Sequence, residues 1–401
     1  MIRNLLIPVT CILVLSCNQG PEKKETVPQT GSEEYAESRI VVKAESQWEE
    51  MLRRNDGWIG ADGIYAVAMN GIEKPGMAGD SETLFWFSDN IWGTIGGDTL
   101  ADDWQMAHNC VGYFRGDDPE KAGMEFFRRT DSAGNTLSMF EPHTPSSNEG
   151  DYYWLGDGFF SHALDSTIYI FAYRIKNVPG GIYPFDDVGL SLIALPKGSR
   201  PPYPNQRQLD VPFFHKDSKG KGKVVFGISV LANTRGAGAP KPDGFIYVYG
   251  VRGPQKELLV ARVEESLFEK FDQWRFWNGA EWVNDIHSAA ALTNNISNEM
   301  SVSFMEDGRV LAVYQYKTNS PDIMIQAGQT PAGPFQPAKK VWSTPEIYED
   351  LDFYTYNAKA HPHLSRPGEV LISYNVNSFD FLDDIKYHPH HLRPRFFSVR
   401  Y

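Results

Sequence analysis

The sequence predicts an all-β fold, a five-bladed β-propeller, and three observations lead there. Short runs rich in β-branched and aromatic residues, bounded by Gly, Pro, Asn and Asp, fill most of the chain. These strand-like runs fall into clusters of about three or four, and the clusters recur roughly every 50–70 residues. Helical periodicity is confined to "AESQWEEMLRRN" (44–55) and a short piece of "EESLFEKFDQWRFW" (264–277).

The elements follow in chain order. Residues 1–17 read as a leader: Arg3 supplies a positive start and "LLIPVTCILVLS" is an apolar run too short to span a bilayer. The run ends in "VLSC", which resembles a bacterial lipobox with lipidation at Cys17. Residues 18–43 are largely polar and aperiodic and read as a flexible tether. The folded domain is expected over 44–401, beginning with the helix. Strand clusters are then "ADGIYAVAM" with "TLFWFSD"; "HNCVGYFR", "MEFFRRT" and "TLSMFEP"; "DGFFSHAL", "TIYIFAYRI" and "VGLSLIALP". "VVFGISVLA", "GFIYVYGVR" and "ELLVARV" make the fourth, and "EMSVSFM", "RVLAVYQYK" and "IMIQAGQT" the fifth. A terminal group, "YNAKAHPHLS", "EVLISYNV" and "RPRFFSVRY", would complete a blade with the first strands. Radially repeated small sheets make a propeller. A two-sheet sandwich, the rival, needs fewer strands than this chain offers.

Composition narrows the partners. The chain has 401 residues, 41% hydrophobic and 13% aromatic, with 35 Gly and 26 Pro, as in a folded, turn-rich protein. Its 51 acidic and 38 basic residues leave a net charge of −13, which disfavours nucleic acid and anionic membrane surface. Membrane attachment is expected only through the lipid, placing the protein in a bacterial cell envelope. Two of the three cysteines, Cys11 and Cys17, lie in the leader, so Cys110 is left without a disulfide partner.

Several clusters open on an acidic or polar residue: Asp62, Asn109, Asp157, Asp243 and Glu299. Any single "DG" is a turn signal first. Recurrence at the start of the innermost strands would bring these groups to one mouth of a central channel, a concave place with a few convergent polar groups. Asp89 in "TLFWFSDNIWG" stands apart, because it ends a strand apolar on both faces. Trp92 and Trp154, beside candidate acids, offer faces on which a sugar ring can stack.

"DGIYAVAM…TLFWFSDNIWG" resembles the opening of a group of bacterial five-bladed propellers, one branch of which is recognised as endo-D-arabinanases. "YYWLGDGFF" is similar to a Trp-x-x-Asp-Gly motif of that group, and "TPAGPFQPAKKVW" to a segment of furanosidase-type blades. "YNAKAHPHLS" resembles a Tyr-Asn-Ala-Lys-x-His-Pro stretch, which implicates Asn357, Lys359 and His361 in the site. Asn90 departs from the pattern, which has Thr there. The resemblance implies a glycoside hydrolase acting on a polysaccharide or oligosaccharide such as arabinan, with Asp62 and Asp89 as the catalytic pair. Asp157, Asp243, Glu299 and Asn109 would hold sugar hydroxyls or tune charge. Asp89, at the end of an apolar strand, is expected to be the more desolvated and hence the acid; Asp62, flanked by Gly60 and Gly63, the base or nucleophile. A non-catalytic glycan-binding lipoprotein is the alternative. No catalytic metal is expected: the histidines of "KYHPHHLRP" are poorly spaced for one. A structural Ca²⁺ among inward carboxylates would relieve their repulsion.

Overall fold

The computed structural model describes residues 40–180, 184–349 and 352–400. The β-branched and aromatic runs fold as antiparallel strands, and five sheets follow one another along the chain. Sheet I joins Tyr65–Ala68, Glu82–Phe87, Cys110–Arg115 and Glu125–Phe127. Sheet II joins Asp151–Ser161, Thr167–Asn177, Phe185–Leu195 and Arg207–Asp210. Sheet III runs from Phe214–His215 through Val224–Asn233, Phe245–Arg252 and Glu257–Glu264 to Arg275–Trp277 and Trp282–Val283. Sheet IV joins Met300–Phe304, Val310–Gln315, Asp322–Gly328 and Lys339–Ser343. Sheet V joins Phe353–Ala360, Glu369–Ser378 and Arg395–Arg400, and its outer edge is the N-terminal strand Val41–Ala44.

Three sequence expectations change. The first two clusters are one sheet, because Glu82–Phe87 pairs on both edges, with Tyr65–Ala68 and with Cys110–Arg115. Much of the intervening chain leaves to pair with Asp56–Ala61 in a side sheet, and "TLSMFEP" contributes only Thr136–Leu137 to a two-stranded ribbon. The tether expected over 18–43 overlaps a strand, since Val41–Ala44 pairs in antiparallel register with Phe397–Arg400. The helix expected over 44–55 spans only Ser46–Met51, and the one within 264–277 is two 3₁₀ turns, Glu265–Leu267 and Phe271–Gln273. Cys17 lies outside the described residues.

Neighbouring sheets are tied by side-chain hydrogen bonds, three of them between inner strands. Backbone N–H groups there face the neighbouring sheet, and a buried donor left unpaired costs about 1–3 kcal/mol. Side chains of the preceding sheet accept them. Ser88 Oγ takes Leu155 N–H (3.0 Å), Asp157 Oδ2 takes Val230 N–H (2.7 Å) and Ser229 Oγ takes Val302 N–H (2.8 Å). Ser301 Oγ takes Ala360 N–H (2.7 Å), and Asn375 Nδ2 of sheet V donates to Ala61 O at 3.2 Å beside sheet I. Tyr65 Oη of sheet I donates to Ile228 O of sheet III (3.2 Å).

Bulges change the side on which side chains face in three sheets. The registers of sheets II, III and V shift between Leu155 and Gly158, between Phe226 and Ser229, and between Tyr356 and Lys359. Gly227 is required in its bulge: its φ is +94° and a Cβ would lie 2.5 Å from Phe171. Asn357 adopts φ 61° in the last one, a left-handed conformation that Asn tolerates better than most residues.

Candidate active site

Asp62 and Asp89 lie 27 positions apart in the chain, yet the backbone sets them side by side. Asp62 N–H donates to Asp89 O (3.1 Å) and Ser88 N–H to Asp62 O (2.9 Å). Both flank the same end of sheet I, since Glu82–Phe87 runs antiparallel to Tyr65–Ala68. Asp89 Oδ1 receives the Trp154 indole N–H at 3.0 Å and faces His108 Nδ1 at 2.9 Å. Asp62 Oδ2 receives the Tyr356 hydroxyl at 2.6 Å, while Oδ1 is shut from solvent without a hydrogen-bond partner. Asn377 Nδ2 donates to Tyr356 Oη in turn (3.1 Å).

The expected assignment of acid and base runs against the surroundings of the two carboxyls. Asp62 and Asp89 are both half-buried, but Asp62 Oδ1 is shut from solvent and its carboxyl lies near Tyr356, Asp89, Glu299 and Lys359, whereas Asp89 faces Trp154 and His108. Burial first, and the negative charge of Asp89 second, hold Asp62 well above the usual carboxylate range, against the Tyr356 hydrogen bond. Flanking glycines leave room around a backbone, but the groups from sheets IV and V fill that room. Asp62 is therefore the carboxyl poised to keep its proton.

Glu299, just before the inner strand of sheet IV, pairs with Lys359, whose side chain is 1% exposed and whose ammonium sits 3.5 Å above the Tyr65 ring. Burial lowers the Lys359 pKa, and Glu299, Asp157 and Asp62 oppose that. Asp157 accepts Gly158 N–H (2.8 Å) as well as Val230 N–H, yet burial raises its pKa to about 7. Lys359 thus supplies counter-charge to Glu299, Asp157 and Asp62. Among the described residues no group of three or more His, Cys, Asp or Glu is arranged to hold a metal ion, the loop of His388, His390 and His391 included.

Some expected residues lie elsewhere. Asp243 is exposed in the turn after Val224–Asn233 and holds Phe245 N–H (3.0 Å) and Tyr247 Oη (2.7 Å), the turn role of a "DG" pair. Asn109 is fully buried and pins the chain by bonds to Phe140 O, Phe140 N and Tyr153 O. Trp92 is buried with its indole N–H on Asn90 Oδ1 (2.6 Å), so it packs core where a sugar platform was expected. The departure at Asn90 is thereby structural. His361 is buried against Ser373 Oγ (2.8 Å), and burial holds it well below the usual imidazole pKa. It lines a cavity of about 570 Å³ reaching the other end of the inner strands, together with Asp157 and Lys359. Asn357 serves the bulge that turns Lys359 inward.

Sequence reasoning missed Tyr356, His108 and Tyr152. Tyr152 stacks on His108 with ring centroids 3.7 Å apart, and Tyr356 sits inside the quoted "YNAK". Strand alternation alone would set Tyr356 and Lys359 on opposite faces. The bulge between them brings both to the carboxylates.

Residues 45–401 match a family model described as "Domain of unknown function (DUF5005)". No curated protein matches by sequence. Among solved structures, a candidate hydrolase from Bacteroides ovatus superposes with a TM-score of 0.67 at 17% identity over 90% of each chain. An exo-beta-1,3-galactanase from Phanerochaete chrysosporium reaches TM-score 0.43 at 7% identity, over 86% of this chain and 64% of that one. A GH43 protein from Bacillus licheniformis reaches 0.39 at 13% identity, over 84% and 51%. The first likeness is one of fold; the other two are too distant to argue from.

Proposed function

The chain belongs to the DUF5005 family, and from that premise we propose that it is a glycoside hydrolase built on a five-bladed propeller and acting on a polysaccharide or oligosaccharide. The propeller reading rests on the five successive sheets and on side-chain bonds between neighbouring ones, with Asn375 of sheet V reaching Ala61 in the side sheet. One observation carries the chemistry: a carboxyl favouring its proton, Asp62, lies beside a second carboxyl, Asp89, at the foot of the partly exposed Trp154.

Glycoside cleavage needs one carboxyl to protonate the leaving oxygen and another to activate water or attack the anomeric carbon. Asp62 fits the first role, by burial and by the charge of Asp89. Asp89 fits the second: Trp154 and His108 hold its Oδ1, and Oδ2 carries no hydrogen bond among the described residues. Asp157 and Glu299 act through Lys359, which sets the charge around Asp62. No cofactor enters this chemistry. Arabinan is the substrate suggested by the sequence resemblance, and a lipid on Cys17 would anchor the enzyme in the cell envelope.

Incubating the protein with linear arabinan, xylan and galactan and measuring new reducing ends tests the reading. Release from at least one is expected. Binding without release from any of them returns the protein to the glycan-binding alternative.

A further inference from the structure

The chain carries a net charge of −13, yet basic groups predominate around one of its cavities. This cavity holds about 470 Å³ and is lined by Arg53, Arg395, His388, His390 and His391. Arg53 follows the helix Ser46–Met51, and the others lie between the helix Phe381–Tyr387 and the start of the last strand. None of the groups described around Asp62 and Asp89 lines it.

The arginines here are short of partners. Arg393 Nε donates to His390 O (3.3 Å), and Arg395 Nη1 donates to Arg393 O (2.7 Å). Arg393 is 8% exposed, and among the described residues no carboxylate forms an ion pair with it. Burying an unpaired charge is costly. Burial, then the charges of Arg395 and Arg53, lower the Arg393 pKa to about 10. Arg53 stands 3.8 Å from Glu50 and Arg395 3.4 Å from Glu346, both longer than a charge-assisted hydrogen bond. Burial pushes the Glu49 and Glu346 carboxyls up, and Asp98 and Glu349, which also line the cavity, face solvent.

The histidines sit in the same field. His390 Nδ1 and His391 Nε2 are shut from solvent without hydrogen-bond partners. His391 Nδ1 donates to His388 O (2.8 Å), and its ring stacks on Phe353 with centroids 5.3 Å apart, which fixes the imidazole. Burial first, and Arg393, Arg53 and Arg395 after it, lower the His390 pKa to about 4. A negative group in the cavity would offset that repulsion, and the ring nitrogens would then take up protons and donate. Leu392 holds this segment against the strand Asp56–Ala61, so closely that a Cβ on Gly60 would lie 3.1 Å from it. The basic wall is thereby fixed to the strand that leads into Asp62.

We propose that this cavity binds an oxyanion, the carboxylate or sulfate group of a small ligand, held by Arg53, Arg395 and His390 with the charge of Arg393 added. The inference goes beyond the hydrolase reading and does not depend on it.

Calorimetry with sodium sulfate, sodium galacturonate and galactose at matched ionic strength tests it. Sulfate also stabilises proteins by exclusion from their surfaces, so the quantity read is saturable binding. At least one of the two anions should saturate a site with Kd on the order of 1 mM, and galactose should not. Arg53→Ala, at a side chain 52% exposed and so free to change without unfolding the chain, should weaken that binding about 10-fold. Tighter binding of galacturonate assigns the anion to a sugar acid, and tighter binding of sulfate to a tetrahedral oxyanion. No saturable binding of either anion, equal binding of galactose, or Arg53→Ala binding as tightly as the wild type overturns the inference. None of these outcomes touches polysaccharide turnover, so the hydrolase reading stands or falls separately.

Discussion

At Asp62, the 2.6 Å bond from Tyr356 favours the ionised carboxylate, but burial and the charge of Asp89 outweigh it. The sign of the pH dependence follows. The protonated form is present below the raised pKa of Asp62 and is lost as pH rises through it, so activity should fall on the alkaline side. Tyr356→Phe removes the opposing hydrogen bond, and the alkaline limb of kcat/KM should move to higher pH; no movement would separate Tyr356 from the acid. Asp157 carries a second prediction. Its pKa is raised from 3.8 to about 7, so its contribution to stability is complete below the ordinary range and is lost as pH rises through about 7. Melting curves of Asp157→Asn should depend less on pH between these values than those of the wild type. A slope as steep as the wild type's would assign that pH dependence to other groups. The position of Asp62 and Asp89 was readable from the sequence. Their surroundings were not, since these depend on Tyr356, Glu299 and Lys359, residues more than 200 positions away.

The strands themselves were legible, because runs such as "TIYIFAYRI" admit little else. Their grouping was less so. Nothing local tells Glu82–Phe87 to pair across a 22-residue excursion with Cys110–Arg115, and the strand at Val41–Ala44 follows directly on a polar, aperiodic stretch. The hydrogen bonds between inner strands were invisible too, because a serine accepting a neighbour's N–H reads as any strand serine. Ser229→Ala should leave Val302 N–H unpaired where Ser229 is fully buried. A loss of about 1–3 kcal/mol in urea unfolding is expected. A change within about 0.3 kcal/mol would mean the contact is dispensable, below the usual cost of an unmade buried bond.

Among the described residues, the first strand and the last pair in one sheet. Val41–Ala44 covers the outer edge of Arg395–Arg400, and Glu45, 1% exposed, accepts Ser398 Oγ–H at 2.8 Å. A chain starting at residue 46 should melt several degrees below one starting at residue 40, having lost an edge strand and a buried carboxylate's bonds. Equal melting would show that the sheet closes without that strand. Trp154 of sheet II, Glu299 beside sheet IV and Tyr356 and Lys359 of sheet V gather about Asp62 and Asp89, and the account rests on what the carboxyl pair does there. The most direct measurement is turnover of Asp62→Asn and Asp89→Asn on a polysaccharide the wild type degrades, with binding followed in parallel. Each should lose at least ~10³ in kcat while still binding the polymer, as removal of an acid or a nucleophile does. Near wild-type turnover in both would contradict the pair and turn attention to Asp157 and Glu299.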